Sequence, residues 1–145
     1  MGSYFNFSLL MDTLFSKIIS GEIPSYKVAE DTYCYAFLDI QPTTKGHVLC
    51  VPKVAVDKIF DLPEVTYLQL MSFSRKVALA IRQSISCNRV GMTVIGLEVP
   101  HAHVHLIPLN TMEDATFQKR IELTGEEMEA TAKAIASCFN LAKDS

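Results

Sequence analysis

Three strand-like segments follow one another without an intervening helix, and this order constrains the fold more than any other feature of the sequence. The segments are SYKVAE, YCYAFL and HVLCVP, and they are rich in aromatic and β-branched residues. Asp31 and Thr32 form a turn between the first two, and the turn residues QPTTKG precede the third. Strands that are joined directly favour antiparallel pairing over a repeated strand-helix-strand unit.

Helical patterns surround these segments. Asp12 or Thr13 can cap a short N-terminal helix that ends near Gly21. Pro63 suits the start of the longest helix, in which apolar residues recur at helical spacing toward Asn88. The later segment TGEE supplies a capping box ahead of a third helix with one apolar face.

Two more strands, VGMTVIG and AHVHLIP, are expected between the long helix and the C-terminal helix. The pattern therefore predicts an α+β fold with a mostly antiparallel five-stranded sheet, a short N-terminal helix, a long helix and a C-terminal helix. We expect residues 11–145 to form a single domain and residues 1–10 to be a leader of unclear role.

The composition excludes several classes of protein. The 145 residues are 49% hydrophobic and 20% charged, which is typical of a soluble globular chain rather than a membrane protein. A net charge of −3 gives no basic excess for a nucleic-acid partner. The four cysteines are widely spaced, which favours reduced thiols in the cytoplasm over a disulfide framework or a zinc knuckle.

Three of the four histidines lie in the segment HAHVHLIP. On a strand, His101, His103 and His105 project from one face, about 7 Å apart by strand rise. Three interpretations are open for such a pattern: a polar edge that faces solvent, a metal site, or a neutral imidazole that attacks phosphorus. A metal site usually needs a further ligand, and no matching motif is present.

The segment HAHVHLIP resembles the signature of the histidine triad family of nucleotide hydrolases and transferases. The likeness to the family's small nucleoside phosphoramidase-like branch extends through MDTLFSKIISGEIPSYKVAEDTYCYAFLDIQPTTKGHVLCVPK and the long helix, roughly from Asp12 to Pro108. The resemblance implies a homodimer that acts on a small nucleotide substrate. It implies no metal and no cofactor.

The resemblance also implies roles for individual residues. His103 would be the nucleophile, His101 would hold its ring, and His105 would lie near the phosphate and leaving group. His47 matches an upstream histidine near the site, although the residues alone favour an exposed position at a strand start. Asp39 matches the residue that binds the ribose hydroxyls, although an Asp before a proline is more often a turn residue.

Further positions match the walls of the family's nucleotide pocket. Apolar residues would surround the base: Phe15, Ile18, Ile23, Phe37, Ile40 and Leu49. Glu98 and Val99 would lie near the substrate, with Glu98 where a Ser often contacts phosphate and Leu97 where a Gln is familiar. Thr13 and Ser16 stand where some relatives have Cys-x-x-Cys, so no structural zinc is expected.

Taken together, the resemblance implies a nucleotide-binding hydrolase or nucleotidyl transferase. The enzyme would cleave an α-phosphorus bond of phosphoramidates or dinucleoside polyphosphates through a covalent intermediate on His103. Two alternatives remain open. One is a catalytically weak nucleotide-binding or sensor module, altered at Leu97 and Glu98, and the other is a metal-binding protein that uses the HAHVH strand.

Overall fold

A five-stranded antiparallel sheet forms the centre of the fold in the computed structural model, which describes residues 12–144. The strands lie in the order β1-β2-β3-β5-β4, and each neighbouring pair is antiparallel. Their bounds are β1 Lys27–Glu30, β2 Cys34–Leu38, β3 Val48–Pro52, β4 Arg89–Thr93 and β5 Val104–Leu109. The predicted α+β class is confirmed, whereas the predicted leader at 1–10 lies outside the described residues.

Three α-helices in the described part of the chain accompany the sheet, as predicted. They are α1 (Leu14–Ile19), the long helix α2 (Glu64–Ser84) and the C-terminal helix α3 (Gly125–Asp144). Thr124 and Glu127 form the predicted capping box at the start of α3. Two short 3-10 turns, Ile59–Asp61 and Met112–Ala115, have no periodic signal in the sequence.

The sheet has two different faces. One face packs against α2 and α3 in the main core, which includes Cys50, Val104 and Leu106. The other face carries a smaller apolar cluster: Phe15, Ile18, Tyr35, Phe37, Leu49 and Val51. Because strand side chains alternate, His105 lies on this second face, opposite Leu49 in the β3–β5 register.

The short helix α1 covers part of the second face. Its first turn is capped by Thr13, whose hydroxyl accepts the backbone N–H of Ser16 at 3.0 Å. Gly21 follows the helix with a φ of 84°, a conformation that costs glycine little. The cap and the turn place Phe15 and Ile18 against the sheet, where both are buried.

Two strand predictions need correction. The strand predicted for VGMTVIG ends at Thr93, so Val94 to Gly96 are not part of it. The strand predicted for AHVHLIP begins only at Val104, since the N–H of Ala102 donates to the carbonyl of Val56 at 2.7 Å instead of to a neighbouring strand. His101 and His103 therefore stand on an irregular approach to β5.

Within the described residues, no helix has the length and the hydropathy to cross a bilayer.

Candidate active site

A cavity of about 550 Å³ opens on the face of the sheet that α1 partly covers. His103 and His105 line it together with side chains from α1 and β2 and from the segment 95–99. Most of the remaining lining is apolar, which suits a flat aromatic base.

The cavity brings together most of the residues that the sequence singled out. Those in its lining are Phe15, Ile18, Ile23, Phe37, Asp39, Ile40, Leu49, Glu98, Val99, His103 and His105. His47 and His101 are fully buried and do not line the cavity. Leu97 and Glu98 are exposed residues of the lining, and Leu97 is 88% exposed.

The hydrogen bond of His103 fixes its tautomer. Its Nδ1 lies 2.7 Å from the backbone carbonyl of His101, and a carbonyl only accepts, so Nδ1 carries the proton. In the neutral ring, Nε2 then holds a free lone pair, and it has no hydrogen-bond partner among the described residues. Phe15 contacts the ring edge-on at 5.0 Å between centroids.

His101 is held at both ring nitrogens. Its Nε2 lies 2.8 Å from the carbonyl of Pro52, so Nε2 donates. Its Nδ1 therefore accepts the hydroxyl hydrogen of Thr13 at 2.7 Å. This arrangement leaves His101 as a neutral ring with no freedom to rotate.

His47 and His105 form a second linked pair. The N–H of Thr43 donates to Nδ1 of His47 at 3.1 Å, so the proton of His47 is on Nε2. That Nε2 donates to Nδ1 of His105 at 2.9 Å, which leaves the proton of His105 on its own Nε2. The exposed position that the residues alone favoured for His47 is wrong, because its side chain is 0% exposed.

Burial keeps these four rings neutral. Loss of hydration is the largest cause in each case, and it lowers the pKa of His47 to about 3 and that of His105 to about 4. It also lowers the pKa of His101 and of His103 below the usual value for histidine. The solvent-facing polar edge is therefore wrong as an interpretation of the histidine pattern, because all three side chains are buried.

Asp39 serves both a turn and the cavity. Its Oδ1 accepts the N–H of Gln41 at 2.8 Å, and its Oδ2 lies 3.6 Å from Nε2 of His47. Burial raises the pKa of this carboxyl, while the hydrogen bond from Gln41 and the charge of Arg120 lower it. The turn reading and the site reading of the sequence are thus compatible.

Two residues of the cavity, Phe117 and Arg120, were not predicted from the sequence. Phe117 has a φ of 62°, and its ring meets His105 edge-on at 4.9 Å between centroids. Arg120 lies over the Phe117 ring, donates to the carbonyl of Gln41 at 2.6 Å, and approaches Oδ2 of Asp39 at 3.7 Å. They lie in an irregular segment after the histidines, where hydrophobic periodicity carries no information.

One group of side chains has the composition of a metal site. Asp39, His47 and His105 each place a potential ligand atom within 4.8 Å of the others. The two facing histidine nitrogens are joined by a hydrogen bond, so a metal would have to displace that proton. This group shares only His105 with the HAHVH strand that the sequence suggested for a metal.

The fold and the site together define a class of protein. In this class, alternate histidines next to one strand of an antiparallel sheet lie beside a cavity large enough for a nucleotide. The chain belongs to the HIT domain family, whose model matches residues 20–112. The resemblance seen in the sequence is therefore confirmed.

Three relatives illustrate the likeness. Adenosine 5'-monophosphoramidase of Saccharomyces cerevisiae is 41% identical over 96 residues, which cover 66% of this chain and 61% of that protein. The protein named hit of Bacillus subtilis is 37% identical over 102 residues, covering 66% of this chain and 69% of the relative. A solved Hit-like protein of Bartonella henselae has a TM-score of 0.77 at 28% identity, covering 88% of this chain and 96% of that one.

Proposed function

We propose that this protein is a nucleotide hydrolase that cleaves the bond between the α-phosphorus and the leaving group of a nucleotide conjugate. The observation that carries the proposal is the tautomer of His103, whose Nδ1 proton is engaged by a carbonyl and whose Nε2 lone pair is free in the cavity. The name of the yeast relative, a monophosphoramidase, supports the reaction class. A phosphoramidate of adenosine is accordingly the first substrate to test.

The first chemical step uses both histidines of the cavity. The lone pair on Nε2 of His103 forms a P–N bond while the bond from phosphorus to the leaving group breaks, its electron pair going to the leaving group. Nε2–H of His105 donates a hydrogen bond to that group, which is the role its tautomer allows, and the leaving group takes its proton from solvent water. The carbonyl of His101 accepts from Nδ1–H of His103 and stabilises the positive charge on the substituted ring.

Water completes the reaction. It attacks phosphorus and releases a proton to solvent, while the P–N bond breaks and its electron pair returns to Nε2 of His103. His47 holds His105 in one orientation through the hydrogen bond to Nδ1. The products are a nucleoside monophosphate and the free leaving group, or a second nucleotide when the substrate is a dinucleoside polyphosphate.

In this proposal, the other residues of the cavity bind the ribose and the base of the nucleotide. The carboxylate of Asp39 lines the cavity and is our proposed acceptor of hydrogen bonds from a ribose diol. The apolar wall, in which Phe15 and Phe37 meet edge-on at 5.4 Å between centroids, offers a surface to a base. Glu98 is a second carboxylate in the lining, and it disfavours leaving groups that carry negative charge near it.

The test is intact mass spectrometry after rapid mixing with an adenosine phosphoramidate and an alkaline quench, which preserves a P–N bond to histidine. We expect a nucleotidyl adduct that maps to His103 and that is absent in His103→Ala. Calorimetry of His103→Ala with a nucleoside monophosphate provides the control, since the variant should still bind.

The two alternatives predict different results. Tight nucleotide binding by the unaltered protein, without adduct or product, would contradict the hydrolase and favour a binding module altered at Leu97 and Glu98. Turnover that disappears with a chelator and returns with a metal ion would contradict the metal-free step and point to Asp39, His47 and His105 as ligands.

We also propose that the chain forms a single domain over residues 11–145, acts as a cytoplasmic homodimer, and binds neither nucleic acid nor membranes. Strand β4 lies at an edge of the sheet and has Met92, Val94 and Ile95 exposed on it or just after it. An edge of this kind needs a partner to satisfy its backbone and cover its apolar side chains. Analytical ultracentrifugation of the wild type and of Met92→Glu tests the dimer, which the substitution should weaken.

A further inference from the structure

The hydroxyl of Thr13 lies outside the cavity and still belongs to the chain of hydrogen bonds that ends at the nucleophile. It donates to Nδ1 of His101 at 2.7 Å, in a buried contact between residues 88 positions apart. Thr13 itself is only 6% exposed. Water therefore has little access to replace this donor.

We propose that Thr13 is a positioning residue for the proposed nucleophile, acting through His101 to hold the carbonyl that orients His103. The inference rests on the proposed function for its catalytic meaning. Its structural part, the control of the His101 ring by a threonine hydroxyl, stands on the geometry alone.

The link from Thr13 to His103 passes through one residue. With Thr13 at Nδ1 and the carbonyl of Pro52 at Nε2, the His101 ring is held at both ends. The backbone carbonyl of the same residue accepts Nδ1–H of His103 at 2.7 Å. Rotation of the His101 ring would leave its Nε2–H and the Pro52 carbonyl unpaired in a buried place, which is costly.

The irregular backbone before β5 makes this support necessary. His101 lies before the first residue of the strand, Val104, so no strand pairing holds its carbonyl in place. The nearby backbone anchors are the bond from Ala102 N–H to Val56 and the bond from His101 N–H to Val99. Side-chain bonds to His101 supply the remaining constraint.

The same hydroxyl also begins α1. Thr13 Oγ1 accepts the N–H of Ser16 while it donates to His101, so one atom serves both the helix and the histidine. Phe15, two residues later, contacts His101 and His103 with centroids 5.7 and 5.0 Å away. The position of the base-binding wall and the orientation of the nucleophile are thus set by a single element.

A trio of variants separates positioning from helix capping. Thr13→Val removes the hydroxyl and keeps the shape, and Thr13→Ser keeps a hydroxyl. Thr124→Val is the matched control, since Thr124 caps α3 through the same kind of capping box, in which its hydroxyl bonds only to the N–H of Glu127 among the described residues. Both valine variants lose a cap, so both should lower the melting temperature.

Only Thr13→Val should change the chemistry. We expect its kcat to fall about tenfold to hundredfold, with little change in KM, because the misplacement acts on the attacking ring. Thr13→Ser should restore kcat to within about twofold of the wild type, since it restores the donor. Equal kcat in Thr13→Val and Thr124→Val, or failure of Thr13→Ser to rescue, would overturn the proposal.

A spectroscopic measurement keeps the inference independent of turnover. Imidazole ¹⁵N spectra of the wild type should show His101 protonated at Nε2 and His103 protonated at Nδ1. In Thr13→Val the His101 signals should change tautomer or broaden, while in Thr124→Val they should stay as in the wild type. Unchanged His101 signals in Thr13→Val would refute the positioning role, even in a protein that proved to have no hydrolase activity.

Discussion

At the residue scale, the fixed backbone groups around each histidine decide where its proton sits. The carbonyls of His101 and Pro52 accept hydrogen bonds from the rings of His103 and His101, and the N–H of Thr43 donates to Nδ1 of His47, which leaves the proton of His47 on Nε2. Alternation in HAHVHLIP predicted which side chains share a face, but not these partners. They come from residues such as Pro52 and Thr13, which are distant in the sequence.

Arg120 supports Asp39 by charge, and we expect Arg120→Gln to weaken nucleotide binding. The guanidinium lies 3.7 Å from Oδ2 of Asp39 and lowers the pKa of that carboxyl. Its loss should raise this pKa further, so the carboxylate that we propose to accept from the ribose becomes protonated at a higher pH than before. KM should rise about two- to fivefold at neutral pH, as for a partly exposed ion pair, and more steeply in acid.

The control for this substitution is Lys119→Gln. Lys119 is the preceding residue, but its side chain is directed to Asp114, 4.0 Å away. Steady-state kinetics against a 2',3'-dideoxy analogue completes the comparison, because that substrate has no diol for Asp39 to hold. An equal rise of KM for both sugars would contradict the proposed link between Arg120 and the ribose.

At the scale of elements, the register of β3 against β5 joins the two histidine pairs. Leu49 opposes His105 in this register, and His47 stands just before β3, close enough to reach His105. Hydrophobic pattern predicted both strands because their residues alternate or are β-branched. It placed the start of β5 too early, because the N–H of Ala102 donates a hydrogen bond to the carbonyl of Val56 and not to a neighbouring strand.

The turn before β3 should be sensitive to a single methyl group. Gly46 has a φ of 93°, and a Cβ there would lie 3.0 Å from Cγ1 of Ile85 and 3.2 Å from Cγ of Pro108. Gly21 has a similar φ of 84° but open space around it. We expect Gly21→Ala to cost about 1–2 kcal/mol of unfolding free energy for its backbone, and Gly46→Ala to cost a further ~1 kcal/mol for crowding.

Urea unfolding of both variants measures the difference. Gly46→Ala should also reduce kcat, since the turn carries His47, whereas Gly21→Ala should not. Equal losses of stability in the two variants would show that Ile85 and Pro108 move aside without cost.

At the scale of the whole molecule, four buried neutral histidines tie stability to pH. Burial lowers all four pKa values. As the pH falls below about 6.5, the histidines of the unfolded chain therefore bind protons while those of the folded chain stay neutral. The contribution of the neutral histidines to the free energy of unfolding is therefore fully present above that pH. It should decline toward the folded-state values, which are about 4 for His105 and about 3 for His47.

Urea unfolding between pH 7 and pH 4.5 tests this expectation. Each histidine contributes a slope of up to roughly 1.4 kcal/mol per pH unit within its window. Asp39 acts in the opposite direction, because its pKa is raised, so the net slope is smaller than the sum for the histidines. His47→Asn should flatten the slope, and a variant with the same slope as the wild type would contradict burial as the cause.

The predicted architecture was more complete than the predicted site for a physical reason. Helices and strands follow from local periodicity and caps, as in α3 with its Thr124 cap, and these signals lie within a few residues. Phe117 and Arg120 reach the site from a segment without periodicity, and the long-range contacts that place them leave no local mark. The Gln41 carbonyl and the Asp39 side chain, far back in the sequence, determine where Arg120 stands.

The position of Arg120 has a consequence for how such proteins diverge. The family match ends at residue 112, whereas the cation that lines the cavity comes eight residues later. A substitution outside the matched range can therefore alter the charge of the cavity and leave every histidine unchanged. We therefore expect substitutions at Arg120 to change the charge that faces the cavity while the four histidines stay in place.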